Sequence, residues 1–350
     1  MNYTNCGNFK CSYEKDAALF QTLFSRICIG AFLLLLVIVP FLLDHYFIYI
    51  LNMILIAVIG AAGLNILTGF TGLISLGQGA FMAVGAFGAG CLSNRFGLPF
   101  YLAIPAAGVI AALVGAFFGI PSLRLKGLYL SIATLAAQFI IEFIIIRAEP
   151  ITGGVQGLSI DYASFFGVAI NDDFRFYWLA LPLAVAMTLA AANIVRSKIG
   201  RAFLSVRDNY IAAEAMGINL FRCKLTAFAI SSFYAGVAGS LWAYYTTIVT
   251  VENFTIMVSI QYLSMIIIGG LGSILGSIFG ATFLIVLPEI LQSLSNMAAG
   301  QYPAISQIVG ALKEMAFGLV IILFLLFEPE GLARRWRLIK AYWKLWPFSY

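Results

Sequence analysis

Few residues in this chain are equipped for covalent chemistry. A single histidine, His45, stands among 350 residues. The five cysteines, Cys6, Cys11, Cys28, Cys91 and Cys223, show no Cys-x-x-Cys spacing, and Cys6 and Cys11 lie in a polar tail without a histidine. Neither a metal centre nor a disulfide framework is expected from that pattern. No Gly-Lys dipeptide occurs anywhere, so the chain lacks the loop that cradles nucleotide phosphates and is expected to bind no cofactor and hydrolyse no ATP of its own. The remaining chemistry lies in polar side chains embedded in apolar runs: Asn65, Gln78, Gln138, Glu142, Gln261, Glu289, Lys313 and Glu314. Such groups are expensive in hydrocarbon and mark pathways or internal partners. Asn65, Ser75, Gln78 and Thr134 are the candidates for lining a translocation pathway. Glu289 and Lys313 can pair if their helices pack antiparallel, whereas Lys313 and the adjacent Glu314 cannot share one helix face. No chain of carboxylates crosses the apolar runs, as an ion-coupled secondary transporter would require.

The elements that carry these residues are membrane spans. Hydrophobic residues make up 62% of the chain and charged residues 10%, against about 25% charged in soluble domains. Apolar runs near the length a bilayer demands number about ten: roughly 27–43, 46–67, 73–94, 99–120, 127–147, 176–195, 224–247, 254–270, 273–293 and 305–327. The predicted class is an all-α polytopic membrane protein. A tail over 1–26 precedes a single membrane domain over 27–330, and a basic tail over 331–350 follows it. The first run lacks a small-residue cleavage site after it and reads as a retained helix.

Lys and Arg set the orientation. Lys10, Lys15 and Arg26, then Arg124 and Lys126, then Arg196, Lys198, Arg201, Arg207, Arg222 and Lys224, then Arg334, Arg335, Arg337, Lys340 and Lys344 fall on one side of a ten-span chain. Asp44, Glu149, Asp161, Asp172, Asp173 and Glu252 fall on the other, with only Arg95, Arg147 and Arg175 beside them. Both termini are therefore expected in the cytoplasm. The net charge of +5 is spread over short loops rather than gathered on one face, which is not a nucleic-acid footprint.

Two loops exceed the rest in length, an acidic one over about 148–175 and a basic cytoplasmic one over about 196–223. Within the second, Asp208 to Gly217 reads as a short helix, with Asp208 or Asn209 as its cap and Gly217 as its stop. The glycines of 69–90 admit two readings. They are either sites of tight helix packing or, over 69–79, irregular backbone beside a pathway. Gly72-Leu73-Ile74-Ser75-Leu76-Gly77 loosely repeats as Gly270-Leu271-Gly272-Ser273-Ile274-Leu275-Gly276.

The run from Gly63 to Phe81 (GLNILTGFTGLISLGQGAF) resembles the hallmark of LivM/LivH-type permeases, the membrane subunits of branched-chain amino acid ABC importers. Gly127 to Leu135, Thr152-Gly153-Gly154 with Gly157, Gly200-Arg201-Ala202-Phe203 and Gly269 to Ser273 are similar to the LivM branch. The resemblance covers roughly 45–335. It implies an importer-permease fold in the inner membrane, pairing with a second permease of the family, two cytoplasmic ATPase subunits that use ATP and Mg, and a periplasmic binding protein that delivers substrate. It also implies that Arg207, Asp208, Ala212, Ala213, Glu214, Ala215, Met216, Gly217 and Ile218 form the ATPase-coupling segment. On this reading the cargo is leucine, isoleucine or valine. Urea or a short amide is the alternative, because importers of those solutes use permeases of the same family.

Overall fold

The computed structural model describes residues 23–122, 127–165, 168–301 and 330–345, and within 302–329 only residues 315, 318, 319, 321–324, 326 and 327. The predicted last span, 305–327, falls mostly outside these residues, as do Lys313 and Glu314. The long helices are α1 (Leu23–Leu42), α2 (His45–Asn65), α3 (Gln78–Phe96), α4 (Phe100–Ser122), α5 (Leu128–Arg147) and α6 (Asp173–Arg196). Next come two shorter helices, α7 (Lys198–Asp208) and α8 (Tyr210–Ala215), then α9 (Leu220–Thr246), α10 (Ile256–Gly269), α11 (Ile274–Gln301) and α12 (Leu332–Leu345).

Seven described segments are long and apolar enough to cross a membrane: His45–Phe70, Phe100–Pro121, Tyr129–Arg147, Asp173–Arg196, Leu220–Thr246, Val251–Gly269 and Ile274–Ser293. Helix α1 adds a shorter apolar stretch, Ile27–Leu42. Helix α3 has 19 residues rich in Gly and Ala. It needs few large apolar side chains because α4, α5, α9 and α10 surround it.

Helix α9 packs on α2, α3 and α4 and forms the centre of the bundle. Its seam with α3 is made of small residues. A Cβ placed on Gly85 would sit 2.2 Å from the Gly236 carbonyl oxygen, and one on Gly239 would sit 2.0 Å from the Met82 oxygen. Close approach of this kind replaces the hydrophobic drive that lipid cannot supply. Tight packing is therefore the role of Gly85 in α3, whereas Gly88 of the same helix keeps ordinary contact distances.

Gly72 and Gly77, ahead of α3, lie instead in irregular backbone. The predicted span 73–94 starts late, because residues 71–77 are not helical and α3 begins at Gln78. Helix α2 runs on as a π turn, Ile66–Phe70, before the break. A π turn inside a helix is rare and often marks a functional site.

The acidic loop 148–175 has structure of its own. A one-turn helix, Glu149–Thr152, leads to β1 (Leu158–Ser159), and β2 (Ser164–Phe165) and β3 (Val168–Ala169) form a small hairpin. Strand β1 pairs antiparallel with β4 (Ile248–Val249), Leu158 opposite Val249. That pairing closes the loop over the end of α9.

The predicted basic C-terminal tail begins as α12. Its first turn seats against the α10–α11 connection, where a Cβ on Gly331 would lie 2.6 Å from the Gly270 backbone. Trp336 meets Phe279 of α11 edge to face, with ring centroids 5.9 Å apart.

Candidate functional site

The basic loop 196–223 folds into two helices. Ser197 caps α7 by accepting from the Ile199 N–H at 3.2 Å. Its Phe203 and Val206 are buried, which fixes α7 against the bundle and leaves its charged residues outside. Asn209, rather than Asp208, caps α8. Its Oδ1 accepts from the backbone N–H groups of Ile211 and Ala212, both at 3.1 Å. The predicted stop at Gly217 is also where the helix ends. Gly217 has φ of +85°, its N–H donates to the Glu214 oxygen at 2.9 Å, and the Ile218 N–H donates to the Ala213 oxygen at 3.0 Å. This doubly bonded terminus favours a residue without a Cβ at the left-handed position.

The result is a short knob. Ile211, Ala212, Glu214, Ala215 and Met216 are exposed, Met216 at 86%. Ala213 faces back into the subunit at 4%, and Ile218 is half-buried. Arg207 and Asp208, expected to offer charges to a partner, are held partly by each other, with the Arg207 guanidinium 3.1 Å from Asp208 Oδ1. Arg207 Nη1 also turns inward and donates to the Gly69 carbonyl at 2.9 Å.

Gly69 belongs to the π turn ahead of the break. The two loosely repeated glycine segments come together here. Asn65 is fully buried. Its Oδ1 accepts from the Gly272 N–H at 2.9 Å, and its Nδ2 donates to the Ser273 oxygen and to Ser277 Oγ, both at 2.8 Å. Gly72 and Gly272 both have positive φ, 75° and 73°. Hydropathy could not reveal this junction, since its partners lie more than two hundred residues apart.

The remaining pathway candidates hold the break from behind. Ser75 and Thr134 are buried, and Thr134 Oγ1 accepts from the Leu76 N–H at 2.9 Å. Gln78 is buried and donates to the Gly60 oxygen at 3.0 Å. In the break it is Gly72 and Ile74 that are exposed. The first amides of α3 are satisfied by other helices, as free helix N-termini require. The Ala80 N–H donates to Gln138 Oε1 at 2.7 Å and the Gly79 N–H to Ser259 Oγ at 2.8 Å. Gln138 Nε2 donates onward to the Phe254 oxygen at 2.7 Å. Replacing Gln138 by leucine strands the buried Ala80 donor and the Phe254 acceptor, at a cost of about 1–3 kcal/mol for each. The expected result is a clear drop in the unfolding temperature of the detergent-solubilised chain. An unchanged midpoint would mean that water or another side chain replaces Gln138.

Residues 46–325 match the protein family described as "Branched-chain amino acid transport system / permease component". The chain is 31% identical to the high-affinity branched-chain amino acid transport system permease protein LivM of Salmonella typhimurium, over 89% of this chain and 76% of the relative. The chain belongs to this permease family. It is also 27% identical to a probable LivM of Methanocaldococcus jannaschii, over 66% of this chain and 67% of the relative. A probable LivH of the same organism is 30% identical over 66% of this chain and 75% of the relative. No solved structure matches the chain.

Within this permease, two further features bear on a site. Glu289 of α11 accepts a hydrogen bond from the Tyr46 hydroxyl of α2, a partner that sequence reasoning missed. The expected pairing of Glu289 with Lys313 lies outside the described residues. A groove of about 380 Å³ between α3, α4 and α5 is lined by Val84, Leu113, Phe117, Phe118, Ile141 and Ile145 among others. Its walls are almost wholly apolar, so it offers nothing to an ammonium or a carboxylate. Among the described residues, no three His, Cys, Asp or Glu side chains stand close enough to hold a metal ion.

Proposed function

We propose that this chain is the membrane-spanning subunit of an ATP-driven importer and forms, with a second permease of its family, an inward path for leucine, isoleucine and valine. The observation that carries the reading is the capped knob at Tyr210–Ala215. It presents Ile211, Glu214 and Met216 to solvent on a chain that has no phosphate-binding loop. Exposed apolar residues rimmed by charge call for a protein partner. The partners are two cytoplasmic ATPase subunits, which bind ATP and Mg and do the hydrolysis, and a periplasmic protein that selects the substrate. The permease is a non-catalytic multi-pass protein of the inner membrane with both termini in the cytoplasm. The segment Arg207–Ile218 couples it to the ATPases. The path follows the break at 71–77, with Asn65, Ser75, Gln78 and Thr134 holding its backbone in place.

The cargo is tested through the importer's binding protein. Its unfolding temperature is expected to rise with leucine, isoleucine or valine, and a response to urea alone rejects the amino-acid reading. The motor is tested with the purified chain alone in liposomes. It is expected neither to accumulate solute nor to consume nucleotide, and accumulation driven by an ion gradient would establish a secondary transporter.

A further inference from the structure

Arg207 stands where three discontinuities of the chain meet. It is the penultimate residue of α7, two residues ahead of the Asn209 cap of α8. Its stem lies along Gly72, where an added Cβ would be 3.0 Å from Arg207 Cγ. Its guanidinium reaches past Gly69 to a second break, residues 270–273 between α10 and α11, where a Cβ on Gly272 would be 3.0 Å from Nη1. The bond from Nη1 to the Gly69 oxygen has an electrostatic logic. Carbonyls in the last turn of a helix lose their helical donors, and the negative end of the helix dipole favours a cation there. The chain leaves helical geometry just after Phe70, so the guanidinium caps the C-terminal end of α2 and its π turn. Asp208 accepts from Arg207 Nε at 3.1 Å and steadies the guanidinium plane. Behind it, Asn65 ties the end of α2 to the second break through Gly272 and Ser273, and Gly270 of the second break carries the first turn of α12.

We propose that Arg207 is the positioning residue that carries displacement of α8 into both helix breaks, by capping Gly69 from the end of α7. The proposal rests on the reading of α8 as the helix that engages the ATPases. A pull on α8 reaches Gly69 through one side chain and reaches Gly272 through Asn65. The same cation holds the break shut or lets it shift as α7 tilts.

The test uses the assembled importer with a reporter cysteine, Ile74→Cys, in a background without the five native cysteines. Position 74 is 39% exposed, so maleimide labelling there reads the state of the break. In the parent, labelling is expected to differ between nucleotide-free and ATP-trapped complexes. Arg207→Met keeps the stem on Gly72 and removes the donors. It is expected to retain the ATPase subunits in the purified complex, to abolish the nucleotide dependence of labelling, and to cut uptake per ATP hydrolysed about tenfold or more, as loss of a hydrogen bond to a charged group implies. Loss of the ATPases from the Arg207→Met complex would make Arg207 a docking contact and overturn the proposal. Parent-like uptake and labelling would overturn it too. If the Arg207→Met chain itself does not fold and insert, Arg207→Lys carries the test, since it keeps a cation at the carbonyl. Coupled uptake with nucleotide-dependent labelling supports the cap, and assembly without either overturns it. Failure of the underlying docking reading shows separately, in knob variants such as Met216→Asp that leave ATPase stoichiometry and uptake unchanged.

Discussion

Replacing Gly217 by valine is expected to cut uptake by the assembled importer by about tenfold or more, since every 1.4 kcal/mol lost at a coupling step is a factor of ten. The chain is expected to remain inserted. Nothing lies within 4 Å of the position a Cβ would take on Gly217, so the effect is one of backbone conformation and not of a clash. A φ of +85° is open to glycine and strained for a β-branched residue by about 1–3 kcal/mol. Helix α8 has only six residues, far below the length at which a helix sustains itself. It depends on the Asn209 cap at one end and the Gly217 and Ile218 N–H groups at the other. With the second end undone, the face that presents Ile211, Glu214 and Met216 loses its shape. Gly217→Asn, which tolerates positive φ, is expected to retain most of the uptake. Glu214→Ala leaves α8 intact and is expected to weaken ATPase retention alone. Uptake and ATP turnover measured on the same proteoliposomes decide the matter. Normal transport by the valine variant would remove the coupling role from this loop.

The spans were legible because lipid leaves the chain few choices. Any run that crosses hydrocarbon must satisfy its own backbone, and continuous apolar helix is the simplest way. Hence the predicted 127–147 and 176–195 became Leu128–Arg147 and Asp173–Arg196. The basic loop was half legible. Asn209 and Gly217 announce a short helix by their types alone, but Lys198–Asp208 is a second helix inside what the sequence reading gives only as a basic loop. Its signal was present in Ile199, Ala202, Phe203 and Val206, spaced at three and four residues as an amphipathic helix requires. The break at 71–77 was one of two open readings. Its local sequence is as apolar as a helix. What keeps it unwound is remote: Thr134 receives the Leu76 amide, and Gln138 and Ser259 receive the first amides of α3. No window of neighbouring residues contains those partners. The same holds for Arg207, which by sequence belongs to a surface charge cluster and by structure caps a carbonyl 138 residues away. The β1–β4 pair was hidden for a further reason. Two-residue strands have too short a pattern to show alternation.

Gly85→Leu is expected to abolish recovery of a folded, monodisperse chain, whereas Gly88→Ala in the same helix is expected to be tolerated. At Gly85 the added Cβ would meet the Gly236 oxygen at 2.2 Å and its Cα at 2.4 Å. Both are backbone atoms, which no rotamer change can move aside. Helices α3 and α9 must then separate, and the contact one turn along, where Gly239 faces the Met82 oxygen, is lost with it. In lipid no hydrophobic force draws the helices back together. Gly85→Ala already crowds the seam, and a drop of about 1–3 kcal/mol is the usual size of overpacking. At Gly88 the nearest atom, Ala107 Cβ, is 3.7 Å away. There alanine adds ordinary contact and restricts the unfolded chain, an effect of about 0.4–1 kcal/mol in the stabilising direction. The comparison of the two alanine variants by thermal unfolding in detergent is the sharp form of the test. Equal midpoints would mean that α3 and α9 do not meet at Gly85. The seam matters beyond stability because it sets where α3 begins. If α3 shifts along α9, the Ala80 and Gly79 amides leave Gln138 and Ser259, and the break at 71–77 loses the anchor at its far end. A partial variant such as Gly85→Ala should therefore impair uptake more than its fall in folded yield accounts for.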